Sequence, residues 1–311
     1  MKYSIVFPGQ GSQSIGMLSD LSSNFSIVSE IFQEASDALG VDLWKIAQED
    51  QEALNLTENT QPIMLAAGYA TYKVLSNEVK LSPVCMAGHS LGEYTALVAS
   101  KSLNFFDAVK LVRRRAELMQ SAVPKGSGSM AAVLGLDDAK VIEICAQSSS
   151  FGVVEAVNFN SPGQVVIAGE KKAVAHACEL MKEAGAKRAL VLPVSVPSHC
   201  SLMTNAATDF KSSVQEVNFE MGDARVIHNV DADYALDINT IKSKLVEQMY
   251  KPVLWTLTVQ KMKQSGVERL LEVGPGKVLA GLTRRIEKSL SGSAIIDTTS
   301  LRSTIEEISN A

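Results

Sequence analysis

Ser90, His199 and Arg115 are the residues whose types and settings could do chemistry. Ser90 stands in Gly88-His89-Ser90-Leu91-Gly92, the G-x-S-x-G spacing in which a strand turns sharply into a helix. Such a bend needs small residues where the two backbones crowd, and Gly88 and Gly92 flank it. The Ser90 hydroxyl is then held out at the apex. The backbone N–H of Leu91 would face an oxyanion formed by attack of Ser90, and a helix start adds partial positive charge. The alternative is a serine in a plain tight turn.

His199 follows Pro197-Ser198. Ser198 is expected to cap the next helix, which puts His199 in its first turn. The positive helix end disfavours imidazolium, so His199 is expected as a neutral base, the partner that a serine nucleophile needs. A structural histidine at a helix start is the alternative. The other histidines compete poorly. His176 falls on a polar helix side and His228 within a strand, while the His89 side chain should diverge from Ser90.

Arg115 lies in Asp107–Met119, where about 100° per residue gathers Ala108, Leu111, Val112, Leu118 and Met119 on one face. Arg115 falls amid that face, whereas Arg113, Arg114 and Glu117 fall opposite. A buried guanidinium must find partners. Two remain open, an internal salt bridge to Asp or Glu and a fork that receives a substrate carboxylate. Gln248 also points inward, sharing the face of Ile241 and Leu245 on a helix expected over 239–250.

These groups need a frame of strands and helices. Strands are expected at Ser4–Phe7, Pro83–Met86, Ala224–Val230 and Arg269–Val273. The loop Pro8–Gln13 can bring backbone N–H groups to a ligand, but Ser14 stands where a dinucleotide fingerprint needs its third glycine. Residues 25–78 repeat at helical spacing, punctuated by Gly40 and Pro62. Loop-like composition at Pro124–Ser129 marks a boundary. Beyond it come strand 130–134, helix 138–147, strand 153–158, a turn at 160–163, strand 164–168, helix 171–184 and strand 189–194. That βαββαβ order is the ferredoxin-like arrangement, about seventy residues inserted into a larger domain. Asn158 and Asn160 precede its hairpin turn, as turn formers or as ligand contacts.

The 311 residues suffice for a large core, and a net charge of −5 argues against a general nucleic-acid binder. No apolar run approaches the ~20 residues of a membrane span. The start of the chain is too poor in apolar residues for a secretory signal. Cys85, Cys145, Cys178 and Cys200 are widely spaced, as in a reduced cytoplasmic protein, and no metal site is expected.

Together these pieces resemble the malonyl-CoA:acyl carrier protein transacylases of bacterial type II fatty acid synthesis. The likeness spans essentially the whole chain. It is carried by Phe7–Gln13, Gly88–Tyr94, Arg115, Val157–Gln164, Pro197–His199, Gln248 and Glu272–Gly276. The resemblance implies an α/β-hydrolase-like domain, residues 1–124 and 197–311, with a ferredoxin-like insert over 125–196. It implies Ser90 as nucleophile, His199 as its base and an oxyanion hole from the backbone N–H groups of Gln10 and Leu91. It implies Arg115 as the holder of the malonyl carboxylate, with Gln248, Asn158, Asn160 and Ser198 about the substrate. It further implies that a backbone carbonyl near Gln248 takes the place of a triad carboxylate. The implied reaction is malonyl transfer from malonyl-CoA to holo-acyl carrier protein with no cofactor, by a cytoplasmic monomer. Related synthase domains selective for malonyl often carry Phe before the histidine, where this chain has Ser198.

Two rivals share the elbow. A thioesterase would need an acidic residue between Ser90 and His199, and nothing marks Asp137, Asp138 or Glu155. A stand-alone acyltransferase serving polyketide synthase carriers would look the same.

Overall fold

The computed structural model describes residues 2–194 and 196–310. Ser195, on the expected return from the insert, lies outside the described residues.

Among the described residues, nine strands form two sheets. A parallel sheet has the order β7-β2-β1-β8-β9, from β1 (Tyr3–Phe7), β2 (Met86–Gly88), β7 (Val226–Ile227), β8 (Arg269–Val273) and β9 (Ser291–Ile295). β1 is central, and all five of its residues are buried, as for a parallel strand with helices on both faces. β2 starts later than the expected 83–86 strand. Val84 N–H already donates to Tyr3 O at 2.9 Å, but the ladder with β1 begins at Met86.

The expected helical region contains the long helix Thr57–Glu78, which runs through Pro62 where a break was expected. Proline leaves the Glu58 carbonyl without its helical donor. Arg113 Nη1 supplies one at 3.2 Å. Gly68 lets this helix lie against the one behind the elbow, since a Cβ there would sit 2.9 Å from Thr95 Cγ2.

The second sheet is antiparallel, in the order β4-β5-β3-β6, from β3 (Gly128–Leu134), β4 (Val154–Ser161), β5 (Gln164–Glu170) and β6 (Arg188–Val191). Helices Asp138–Gln147 and Lys171–Glu183 complete its βαββαβ order, and their apolar sides make a separate core with the sheet. The hairpin turn is tighter than expected. Asn160 and Ser161 belong to β4, and Gly163 makes the reversal at φ 73°. β4 also bonds to the larger body, with Val253 N–H donating to Val157 O at 2.8 Å and Phe159 N–H to Val253 O at 3.0 Å. Asn158 lies between those two bonds, so this junction delivers it to the site.

Candidate active site

β1 and β2 end side by side, and the site is built at that edge. Ser90, two residues past β2, has φ 51°, a left-handed conformation that costs free energy in any residue but glycine. The neighbouring glycines let the flanking backbones close about it. A Cβ on Gly88 would sit 1.9 Å from the Gly92 carbonyl, and one on Gly92 would sit 2.1 Å from Phe7 O. Asn229, just past β7, adds a tether: its Oδ1 accepts from Ser90 N–H at 2.7 Å and its Nδ2 donates to Gly88 O at 2.7 Å. The helix Gly92–Ala99 starts at once, so the Leu91 N–H lies at its N-terminus beside the Ser90 hydroxyl.

His199 Nε2 lies 2.8 Å from Ser90 Oγ. Its placement departs from the expected first helical turn. The helix begins at Thr204 behind a short 3-10 turn, Ser201–Met203, and Ser198 does not cap it. His199 instead occupies a corner of its own at φ 66°. Its N–H donates to Met249 O at 3.0 Å, and its Nδ1 donates to Gln248 O at 2.6 Å. A proton fixed on Nδ1 leaves Nε2 as the free base facing Ser90. Burial, with the Arg115 charge second, lowers the His199 pKa to about 3. The cause of its neutrality is therefore desolvation and a nearby cation, not a helix end.

Arg115 is 1% exposed yet has no carboxylate partner among the described residues. On the same helix, Arg113 on the polar side pairs with Glu117 at 2.8 Å, and the internal salt bridge left open for Arg115 is not made among the described residues. Arg115 instead donates from Nη1 to Gln61 Oε1 and from Nη2 to Gln248 Oε1, both at 2.9 Å, and from Nη2 to Ser90 Oγ at 3.2 Å. Those three bonds leave two of the five N–H donors of a guanidinium, Nε among them, without a partner among the described residues. Burial works against its charge.

The cavity holds about 480 Å³ and is lined by Gln10, Ser90, Leu91, Arg115, Asn158, Ser198 and His199, with apolar walls from Met119, Met130, Val166 and Leu192. The N–H groups of Gln10 and Leu91 have no acceptor among the described residues. Asn158 Oδ1 is buried there without a donor among the described residues. Two expected substrate contacts stand back from the cavity. Asn160 Oδ1 accepts from His89 Nε2 at 2.8 Å, behind the wall. Gln248 is fully buried beneath Arg115 and donates from Nε2 to Ser90 O and Glu93 Oε2, both at 2.9 Å. Both are spaced from the lining because their amides are already used inside the protein.

Reading the sequence alone missed Gln61, Glu93, His228 and Asn229. Gln61 had a signal, as a polar residue inside an apolar helical stretch. Glu93 is 0% exposed and meets His228 Nδ1 at 2.7 Å. Asp137 caps the helix Asp138–Gln147, and Glu155 binds Ser201 N–H at 3.0 Å, so neither orients His199. The arrangement can activate a hydroxyl, stabilise an oxyanion and receive an anionic group within reach of that hydroxyl.

The acyl transferase domain family matches residues 4–301. A malonyl CoA-acyl carrier protein transacylase from Haemophilus influenzae is 52% identical over 98% of both chains. A solved acyl carrier protein S-malonyltransferase from Vibrio cholerae O1 is 51% identical, covers 98% of this chain and 100% of its own, and has a TM-score of 0.95. A solved malonyl-transacylase in complex with a type II polyketide acyl carrier protein is 48% identical, with 99% and 100% coverage and a TM-score of 0.97.

Proposed function

The chain belongs to the acyl transferase domain family, and on that premise we propose that it moves a malonyl group from malonyl-CoA to acyl carrier protein, supplying fatty acid elongation. His199 Nε2 takes the Ser90 proton as Oγ attacks the thioester carbon. The tetrahedral oxyanion is held by the N–H groups of Gln10 and Leu91. The C–S bond then breaks, and the His199 proton goes to the leaving CoA sulfur. In the second half-reaction the phosphopantetheine thiol of the carrier gives its proton to His199 and attacks the Ser90 ester. Ser90 regains the proton as the new thioester forms. One thioester is exchanged for another with no redox change, so two substrates and no cofactor balance the reaction.

One observation carries this reading: a buried guanidinium with no carboxylate partner among the described residues stands 3.2 Å from Ser90 Oγ. An acyl group that brings its own carboxylate completes that site. Asn158 and Ser198 then line the acyl pocket, whereas Gln248 and Asn160 act by holding Arg115 and His89. The test is intact mass. Mixing with malonyl-CoA should add one malonyl group, and holo-carrier protein should remove it. Ser90→Ala should take no label, and a label persisting on that variant would place the nucleophile elsewhere.

The same reading covers the frame. We read the larger body, residues 1–124 and 197–311, as α/β-hydrolase-like, supported by the parallel sheet and the elbow after β2. Its insert, 125–196, reads as ferredoxin-like, supported by the βαββαβ order and its strand order. No helix among the described residues is long and apolar enough to cross a membrane, which suits a cytoplasmic enzyme.

Carrier docking falls to exposed basic side chains. Lys187, Arg188, Arg284 and Arg285 are exposed. Leu134 lies opposite Arg188 on one side and Gln164 on the other, and Arg285 Nη1 donates to that Gln164 at 3.2 Å. The cations of the two bodies thus approach one another about Gln164 and Leu134, which suits an acidic partner. The polyketide carrier bound by one solved neighbour favours a second reading for the acceptor, and a panel of carriers separates the two.

A further inference from the structure

Arg115 has a charge to balance even when no substrate is present. Its direct partners are two amides and a hydroxyl, all neutral. Tyr94 lies beneath it, with the guanidinium 5.5 Å from the ring centre, but burial raises the Tyr94 pKa and keeps that phenol neutral. The anion lies one amide further back. Gln248 accepts from Arg115 Nη2 with Oε1 at 2.9 Å and donates from Nε2 to Glu93 Oε2, also at 2.9 Å. Glu93 is fully buried and meets three donors: Gln248 Nε2, Asn229 N–H at 2.9 Å and His228 Nδ1 at 2.7 Å. Three donors suit the ionised carboxylate, which only accepts.

We propose that Glu93 is the counter-ion of Arg115 in the empty enzyme, held off by the Gln248 amide so that the guanidinium stays open to a substrate carboxylate. This rests on the malonyl-transfer reading above. Direct contact would satisfy the arginine and close the site. Separation by one amide keeps the cation tolerable inside the protein while two of its N–H donors stay unused. Glu93 also opposes the incoming carboxylate, since like charges repel through a poorly screened interior. Malonyl binding is therefore weaker than the bare guanidinium would give, which favours release of the acyl group to the carrier.

Asn229 couples this charge balance to the nucleophile. Its N–H holds Glu93 while its side chain holds Ser90 N–H and Gly88 O. The elbow and the carboxylate receptor thus share one buried network.

The test is Glu93→Gln, which keeps the shape and removes the charge. Glutamine can keep the Asn229 and Gln248 bonds through its oxygen and donate to a neutral His228. The Ser90→Ala background stops turnover, so calorimetric titration reads binding of malonyl-CoA and acetyl-CoA directly. Adding Glu93→Gln should tighten malonyl-CoA on the order of tenfold, the scale of one unit charge removed several ångströms away. Acetyl-CoA should change less than about twofold, since it brings no carboxylate. With Ser90 present, loss of malonyl from the Glu93→Gln acyl-enzyme to a pantetheine thiol should be slower than in the parent. Equal shifts for both ligands, or weaker malonyl binding, would overturn the counter-ion role and leave Glu93 as a structural residue. Should Glu93→Gln fold poorly, free malonate should restore its melting transition more than acetate does; equal effects of the two would also overturn it. Failure of the wild-type protein to form a malonyl adduct would instead remove the malonyl-transfer reading itself.

Discussion

The two reacting side chains stand on the same conformational device, held in opposite ways. Ser90 and His199 are both left-handed residues other than glycine, at φ 51° and 66°. The Ser90 corner is marked by its chain neighbours, because Gly88 is pressed against Gly92 and Gly92 against the end of β1, where no side chain could fit. The His199 corner has no glycine beside it. It is held from about fifty residues away, by the Met249 carbonyl on its N–H and the Gln248 carbonyl on Nδ1. A strained nucleophile can therefore be written locally, whereas its base is placed by tertiary hydrogen bonds. Arg115 touches both corners, bonding Ser90 Oγ and lowering the His199 pKa.

The sharpest way to break the comparison is to empty the distant corner. His199→Ala should slow both half-reactions by roughly 10²–10⁴-fold, with Ser90 still in place. Stopped-flow acylation and deacylation on a protein with an unchanged melt provide the measurement. Near-normal turnover would show that the elbow alone suffices.

Removing the shared cation should cost less and select by substrate. Arg115→Ala is expected to impair malonyl transfer by ~2–4 kcal/mol, the loss of a paired charge in a dry site. Acetyl transfer should fall far less, and Arg115→Lys should rescue only in part because an ammonium lacks the planar fork. A parallel loss of malonyl and acetyl transfer in folded protein would make Arg115 structural.

Acid should probe the distant corner by itself. The folded pKa of His199, about 3, lies below the ordinary 6.5, so between these values the unfolded chain binds the proton that the folded chain excludes. The contribution to stability is fully present above about pH 6.5 and is lost as pH falls, at up to ~1.4 kcal/mol per unit. Melting curves of wild type and His199→Gln should diverge in slope from pH 6.5 down to 5. The acylation kcat/KM should show no acidic limb near 6.5 over that window. A limb at that pH would mean an exposed base.

The smallest effect lies outside both corners. The KM for carrier protein should rise with salt more than that for an uncharged pantetheine acceptor, because the exposed cations at 187–188 and 284–285 are screened. Equal salt dependence would remove those cations from recognition.

Local pattern alone determined the elbow, the inward turn of Arg115 and the βαββαβ run, because each is set by neighbours within a turn or a strand. Helix Asp138–Gln147 falls where its spacing and Asp137 cap put it. The expected cap at Ser198 failed because nothing near it in the chain records that Met249 and Gln248 will take over the bonding of His199. Pro62 was misread as a break for the same reason: Arg113, far along the chain, satisfies the carbonyl it exposes. Glu93 and Asn229 carry ordinary local signals and gain their places only when the ends of β2 and β7 meet, and Gln61 gains its place only when its helix packs against that of Arg115. Tertiary structure decided those because a buried polar group is specified by its partners, and partners of this kind come from anywhere in the chain.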